Sequence, residues 1–153
     1  QSRLVEQDLY GNEFMKSLLN EDLADDLAKK KKEGGDSDDD KDAAENFYNE
    51  LLSLINAIKF PANDRITMWL SPEDNSVILA IAVPYNGEQA SSGNGTMKGI
   101  ALDSKEEVDA MYAKAISLGA KDDGEPGQRA GAFYGAYVYD LDGNKLTFFN
   151  FDA

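Results

Sequence analysis

Residues 131–151, GAFYGAYVYDLDGNKLTFFNF, read as a strand, a tight turn and a second strand. Tyr134 to Tyr139 and Lys145 to Phe151 are rich in aromatic and β-branched residues, and the DLDG between them holds the Asp-Gly pair that suits a hairpin. On the second strand, residues two apart share a face, so Thr147, Phe149 and Phe151 point one way while Leu146 and Phe148 point the other. Asp140 and Asp142 read as turn formers rather than as an acid and base pair.

Moving upstream, Ser104 and Glu107 form a capping box, and Val108, Met111, Tyr112, Ala115 and Ile116 then make an apolar helical stripe that stops at Gly119. KDDGEPGQRAG, residues 121–131, reads as a long turn-rich loop between this helix and the hairpin. Earlier still, Arg65 to Leu70 and Ser76 to Val83 are β-rich runs bounded by SPEDN and PYNGEQ, and Thr96 to Leu102 is a third short strand. Asp42 followed by Glu45 marks a helix start. Phe47, Tyr48, Leu51, Leu52 and Ile55 trace its apolar face, and Pro61 lies beyond its end. The predicted order is helix, strand, strand, strand, helix, loop, strand, strand.

The first part of the chain is of another kind. Phe14, Met15, Leu18, Leu19, Leu23 and Leu27 recur at helical spacing up to Gly34-Gly35, which predicts one or two amphipathic helices over residues 1–35. Their stripe packs on the chain's own domain or docks a partner; the pattern serves both. KKKKEGGDSDDDKD, residues 29–42, switches from a basic to an acidic block and reads as a solvated linker. Its Asp36, Asp38 and Asp40 have the spacing of a calcium loop, but Lys41 and Phe47 stand where such a loop needs glycine and glutamate. The expected division is a helical extension and charged linker over 1–41 and a folded domain over 42–153.

Composition removes whole classes of function. Among 153 residues there are 29 acidic and 15 basic side chains, giving a formal net charge of -14 that repels phosphate backbones and anionic lipid. Nucleic acid is therefore not an expected partner. Nor does any apolar run approach the ~20 residues of a membrane span. With no cysteine, thiolate chemistry and disulfides are absent. With no histidine, the commonest general base and the commonest transition-metal ligand are absent too. No GxSxG or phosphate-binding loop is present. Asn94-Gly95-Thr96 matches a glycosylation sequon and also belongs to a turn. A chain beginning at Gln1 suggests trimming, so the compartment stays open between the cytoplasm and a processed organellar or exported form.

FYNELL (47–52), PYNGEQASSGNGT (84–96), SKEEVDAMYAKAISLGAKDDGEPGQR (104–129) and FYGAYVYDLDGNKL (133–146) together resemble the glyoxalase, bleomycin-resistance and extradiol-dioxygenase superfamily, the vicinal oxygen chelate fold. The resemblance spans about residues 43–151. It implies an α+β fold in which paired βαβββ modules curl into a half-barrel cup. It also implies that enzymes of the superfamily hold a divalent metal there, with histidine and glutamate from several strands. The implied ligand positions hold Met97, after the GNGT turn, and Thr147, after the last hairpin. The place of the first strand holds KKKKEGGDSDDD, which has no apolar alternation, so that strand is expected to be missing or altered.

A thioether and a lone hydroxyl are poor ligands for hard divalent ions, so no metal, no cofactor and no catalytic residue is expected. What remains is an aromatic lining: Trp69, Met97, Tyr137, Tyr139, Thr147, Phe149 and Phe151 are the expected ligand-binding residues. The leading reading is a non-catalytic binder of a small cationic or aromatic molecule. The second is a structural subunit of a larger assembly, with a homodimer or a protein partner in either case. A lyase or dioxygenase with unrecognised ligands is the third.

Overall fold

The computed structural model describes residues 37–152, so the predicted helices of residues 1–35 lie outside it. Helix α1 runs Ser37–Leu52 and is followed by a 3-10 turn at Ser53–Ile55. The strands β1 (Ile58–Pro61), β2 (Ile66–Leu70) and β3 (Val77–Ala82) come next, then β4 (Lys98–Ala101), helix α2 (Lys105–Ser117), and β5 (Lys121–Gln128), β6 (Phe133–Tyr139) and β7 (Lys145–Phe151). The first helix thus starts at Ser37 rather than Asp42 and takes in Asp38 and Asp40, the acidic run read as linker.

The strands form two sheets. One is an antiparallel meander in the order β1-β2-β3; the other has the order β4-β7-β6-β5, with β4 parallel to β7 and the rest antiparallel. The second sheet with α2 is a complete βαβββ module. In the first, α1 leads straight into three strands, and among the described residues nothing pairs with the outer edge of β3. Residues 29–36, most of the stretch in which the first strand is expected to be missing or altered, lie outside the described residues, and 37–40 are the first residues of α1.

Two strands escaped the sequence reading. β1 hides in IKFP after the helix, where the chain reverses at Asn56, whose left-handed backbone (φ 56°) closes the 3-10 turn. β5 hides in the predicted loop KDDGEPGQ, an edge strand whose side chains are half-buried or exposed, and whose register slips around Gly124.

The core lies between the helices and one face of each sheet. Ala44, Phe47, Tyr48 and Leu51 on α1 repeat the spacing of Val108, Met111, Tyr112 and Ala115 on α2, so each module presents the same helical stripe. Trp69 and Leu79 meet α1 from the first sheet; Ile100, Ala136, Val138, Leu146 and Phe148 meet α2 from the second. Ser104 caps α2, accepting a bond from the Glu107 N–H at 3.1 Å, while Glu107 Oε2 accepts from the Asp103 N–H at 2.9 Å.

A buried polar contact joins the modules. The Tyr48 hydroxyl on α1 donates to Asp140 Oδ2 in the last hairpin. Burial, followed by the negative charge of Asp140, raises the Tyr48 phenol far above its ordinary value. The other Asp140 oxygen accepts from the N–H groups of Asp142 (2.9 Å) and Asn144 (2.8 Å), and Asn144 Nδ2 donates to Oδ2 at 3.0 Å. Asp140 is the turn former its sequence position suggested, and a tether for α1 as well.

Candidate functional site

The face of the second sheet turned away from α2 is built by strict alternation. In register, Tyr137 and Gly99 flank Thr147, Gly135 stands beside Phe149, Phe133 beside Phe151, and Tyr139 beside Lys145. Leu146 and Phe148, wholly buried, point the other way into the core, as the period of two predicts.

Glycines let aromatic rings lie flat on this face. A Cβ at Gly135 would come within 2.4 Å of the Phe133 ring, and one at Gly99 within 3.1 Å of the Phe149 ring. The two phenyl rings stack with centroids 5.2 Å apart and planes 16° from parallel. Both are half-buried, and Phe151 at the end of the strand is 58% exposed, so they form a platform that solutes can reach.

Beside the platform the face is polar and cationic. Tyr137 has Arg129 on one side at 5.4 Å and Lys145 at 5.4 Å, and Lys145 also lies 6.0 Å from the Tyr139 ring centre. Lys145 pairs with Asp123 at 2.7 Å, and the hydrogen bond to Asp123 raises its pKa and keeps it charged. Thr147 is only 3% exposed, and its hydroxyl has no hydrogen-bond partner in the protein. Next to these, Tyr139 and Lys145 join Ser92, Asn94, Thr96 and Gly143 around an open polar pocket of about 170 Å³.

The residues expected to line the cup divide. Tyr137, Tyr139, Thr147, Phe149 and Phe151 share this face. Trp69 does not: it is 1% exposed, sits in the helix-side core and tilts against Tyr48 at 5.7 Å, because its strand neighbour Met68 takes the opposite face. Met97 also departs from expectation. It precedes β4, which begins at Lys98, and is 51% exposed in the loop. The sequence reading passed over Phe133, Arg129 and Lys145; period-two alternation from Tyr137 would have found Phe133, and the two cations carry no pattern of their own.

A family metal does not fit these side chains. Thr147 and Met97 stand at the implied ligand positions, and among the described residues no three side chains of histidine, cysteine, aspartate or glutamate come together.

Comparison with solved structures places this geometry. A glyoxalase/bleomycin resistance protein from Albidiferax ferrireducens is 33% identical, with a TM-score of 0.65, over 72% of this chain and 89% of that one. A glyoxalase/bleomycin resistance protein/dioxygenase family enzyme from Burkholderia phytofirmans (18% identity, TM-score 0.57, 72% and 89% covered) and a glyoxalase-related enzyme from Fulvimarina pelagi (16%, 0.56, 71% and 78%) share the fold. No protein-family model and no curated protein matches the chain. The likeness to the Albidiferax protein extends over nearly all of that protein's length, and on that ground the chain belongs to the glyoxalase/bleomycin resistance protein family.

Proposed function

We propose that the protein is a metal-independent, non-catalytic binder of small planar aromatic molecules, held on the Phe133–Phe149 platform. The observation that carries this is the stacked pair itself. Two rings laid flat over glycines and open to solvent offer a third ring a parallel surface, and aromatic stacking contributes about 0.5–1.5 kcal/mol beyond the area buried.

The sign of the ligand follows from the tyrosines. Arg129 and Lys145 already cover Tyr137, so a cationic guest would displace the chain's own cations to reach that ring. An aromatic ring bearing a carboxylate suits the site better, with its charge toward Lys145. The net charge of -14 acts at longer range and is screened beyond about 8 Å at physiological salt.

Thermal denaturation with 2-naphthoate and with 2-naphthylmethylammonium tests this. At a hundredfold excess over Kd the bound ligand adds about 2.7 kcal/mol, which appears as a rise in Tm. The naphthoate raises Tm, the ammonium raises it less, and Phe149→Ala removes both rises. Equal stabilisation of wild type and Phe149→Ala would place the ligand elsewhere.

A further inference from the structure

Four strand edges are open among the described residues, the outer edges of β1 and β3 in one sheet and of β4 and β5 in the other. Three carry the devices by which sheets avoid pairing with one another. β1 is four residues long and holds Lys59 and Pro61; β4 is as short and holds Lys98 and Gly99; β5 reads KDDGEPGQ. β3, VILAIA, has no charge and no proline. Its one irregularity is a bulge at Ile78, and from Leu79 to Ala82 the ladder is regular.

The direction of its free groups can be read from its partner. The Val83 N–H bonds to the Arg65 carbonyl at 3.0 Å, so by the period of two Leu79 and Ile81 bond to β2. The N–H and C=O of Ala80 and Ala82 therefore point outward, from residues whose small side chains are exposed.

In the complete module this edge is filled: β4 lies parallel on β7, and its Ile100 is 3% exposed in the core. The chain entering α1 is chemically unsuited to the same task. With the two helical stripes equivalent, Ala44 to Val108, the sequence in the place of β4 is Gly34, Gly35, Asp36 and Ser37. An aspartate in the place of Ile100 would bury an unpaired carboxylate.

We propose that the outer edge of β3 is an interface between two copies of this chain. The strands pair antiparallel about a twofold axis at Ile81, with Ala80 opposite Ala82 of the second copy and the reverse. Four backbone hydrogen bonds form, two from each N–H and C=O set, and they satisfy every outward polar group of the regular stretch. Ile81, half-buried at the edge, meets its own counterpart across the axis. Two chains of net charge -14 repel over most of their surface, and an uncharged strand is where that repulsion opposes contact least.

Sedimentation velocity on the full chain, across a dilution series, tests the interface. Ala80→Pro removes one outward N–H from each copy without touching the bonds to β2, and Ala82→Lys places an ammonium at an exposed position on the shared edge. The wild type is expected to dimerise, each variant to weaken the dimer about 30-fold or more, and the near-ultraviolet signal of buried Trp69 to stay unchanged. Hydrogen exchange at Ala80 and Ala82 should be slow in the dimer and speed up on dilution. A wild type that stays monomeric overturns the proposal, whether those amides exchange quickly, leaving the edge bare, or slowly, showing that residues 1–36 cover it. A dimer that both variants leave intact overturns it too.

Discussion

Replacing Tyr48 with phenylalanine deletes one oxygen and keeps the ring against Phe47 and Trp69. The lost bond runs to a carboxylate that is 6% exposed, and hydrogen bonds to charged groups contribute about 1.5–3 kcal/mol. Asp140 keeps three other donors, from Asp142 and Asn144, so its charge is not stranded and the lower half of that range applies. The expected cost is about 2 kcal/mol, or a fall in Tm of roughly 6–8 °C for a domain of this size. Urea denaturation of wild type, Tyr48→Phe, Asp140→Asn and the double variant isolates the pair. The two losses should fall short of additivity by about 1 kcal/mol, because each removes the same bond. Fully additive losses, or a Tyr48→Phe variant as stable as wild type, would show that the contact does not tether α1 to the hairpin.

Two further outcomes follow from side chains described above. Glu45 is 16% exposed; burial opposes its ionisation, but hydrogen bonds from Thr67 (2.5 Å), Lys59 and Lys41 (2.9 Å each) outweigh it and lower its pKa from 4.5 to about 2. A carboxyl depressed in the folded state adds stability above its unfolded value and loses it as pH falls, so unfolding free energy should drop by about 1–2 kcal/mol between pH 4.5 and 2 after allowing for solvent screening, and Glu45→Gln should flatten that slope. Gly135→Ala forces the Phe133 ring off Phe149, since the new methyl would stand 2.4 Å from it; the variant should lose about 1–2 kcal/mol in chemical denaturation together with naphthoate binding, whereas unchanged binding would remove the stacked pair from the site.

The parts of the fold that were legible in the sequence are those where burial writes a period. The stripe from Val108 to Ala115 and the alternation from Leu146 to Phe151 are both set by a single apolar surface, and both match the structure. β5 was illegible because an edge strand with no buried residue needs no apolar alternation, and its glycines and proline imitate a loop. Trp69 misled for a different reason. A large aromatic in mid-strand suits either face, and what decides is the position of Tyr48 on a helix 21 residues away in sequence. The cationic half of the site stayed hidden because Arg129 and Lys145 come together only when β5, β6 and β7 fold side by side.

The parallel pairing of β4 with β7 also bears on how the chain assembles. Lys98 meets Leu146 and Ala101 meets Phe149 across about 48 residues, whereas β6 and β7 are joined by one turn. Closing the long loop carries the larger entropy cost, so the hairpin and its contacts with α2 can form first and β4 docks afterwards. During synthesis β4 leaves the ribosome well before the strand it needs. Until β7 follows, Ile100 has no sheet to enter, and a ribosome paused between the codons for β4 and those for β7 holds a module that cannot yet close.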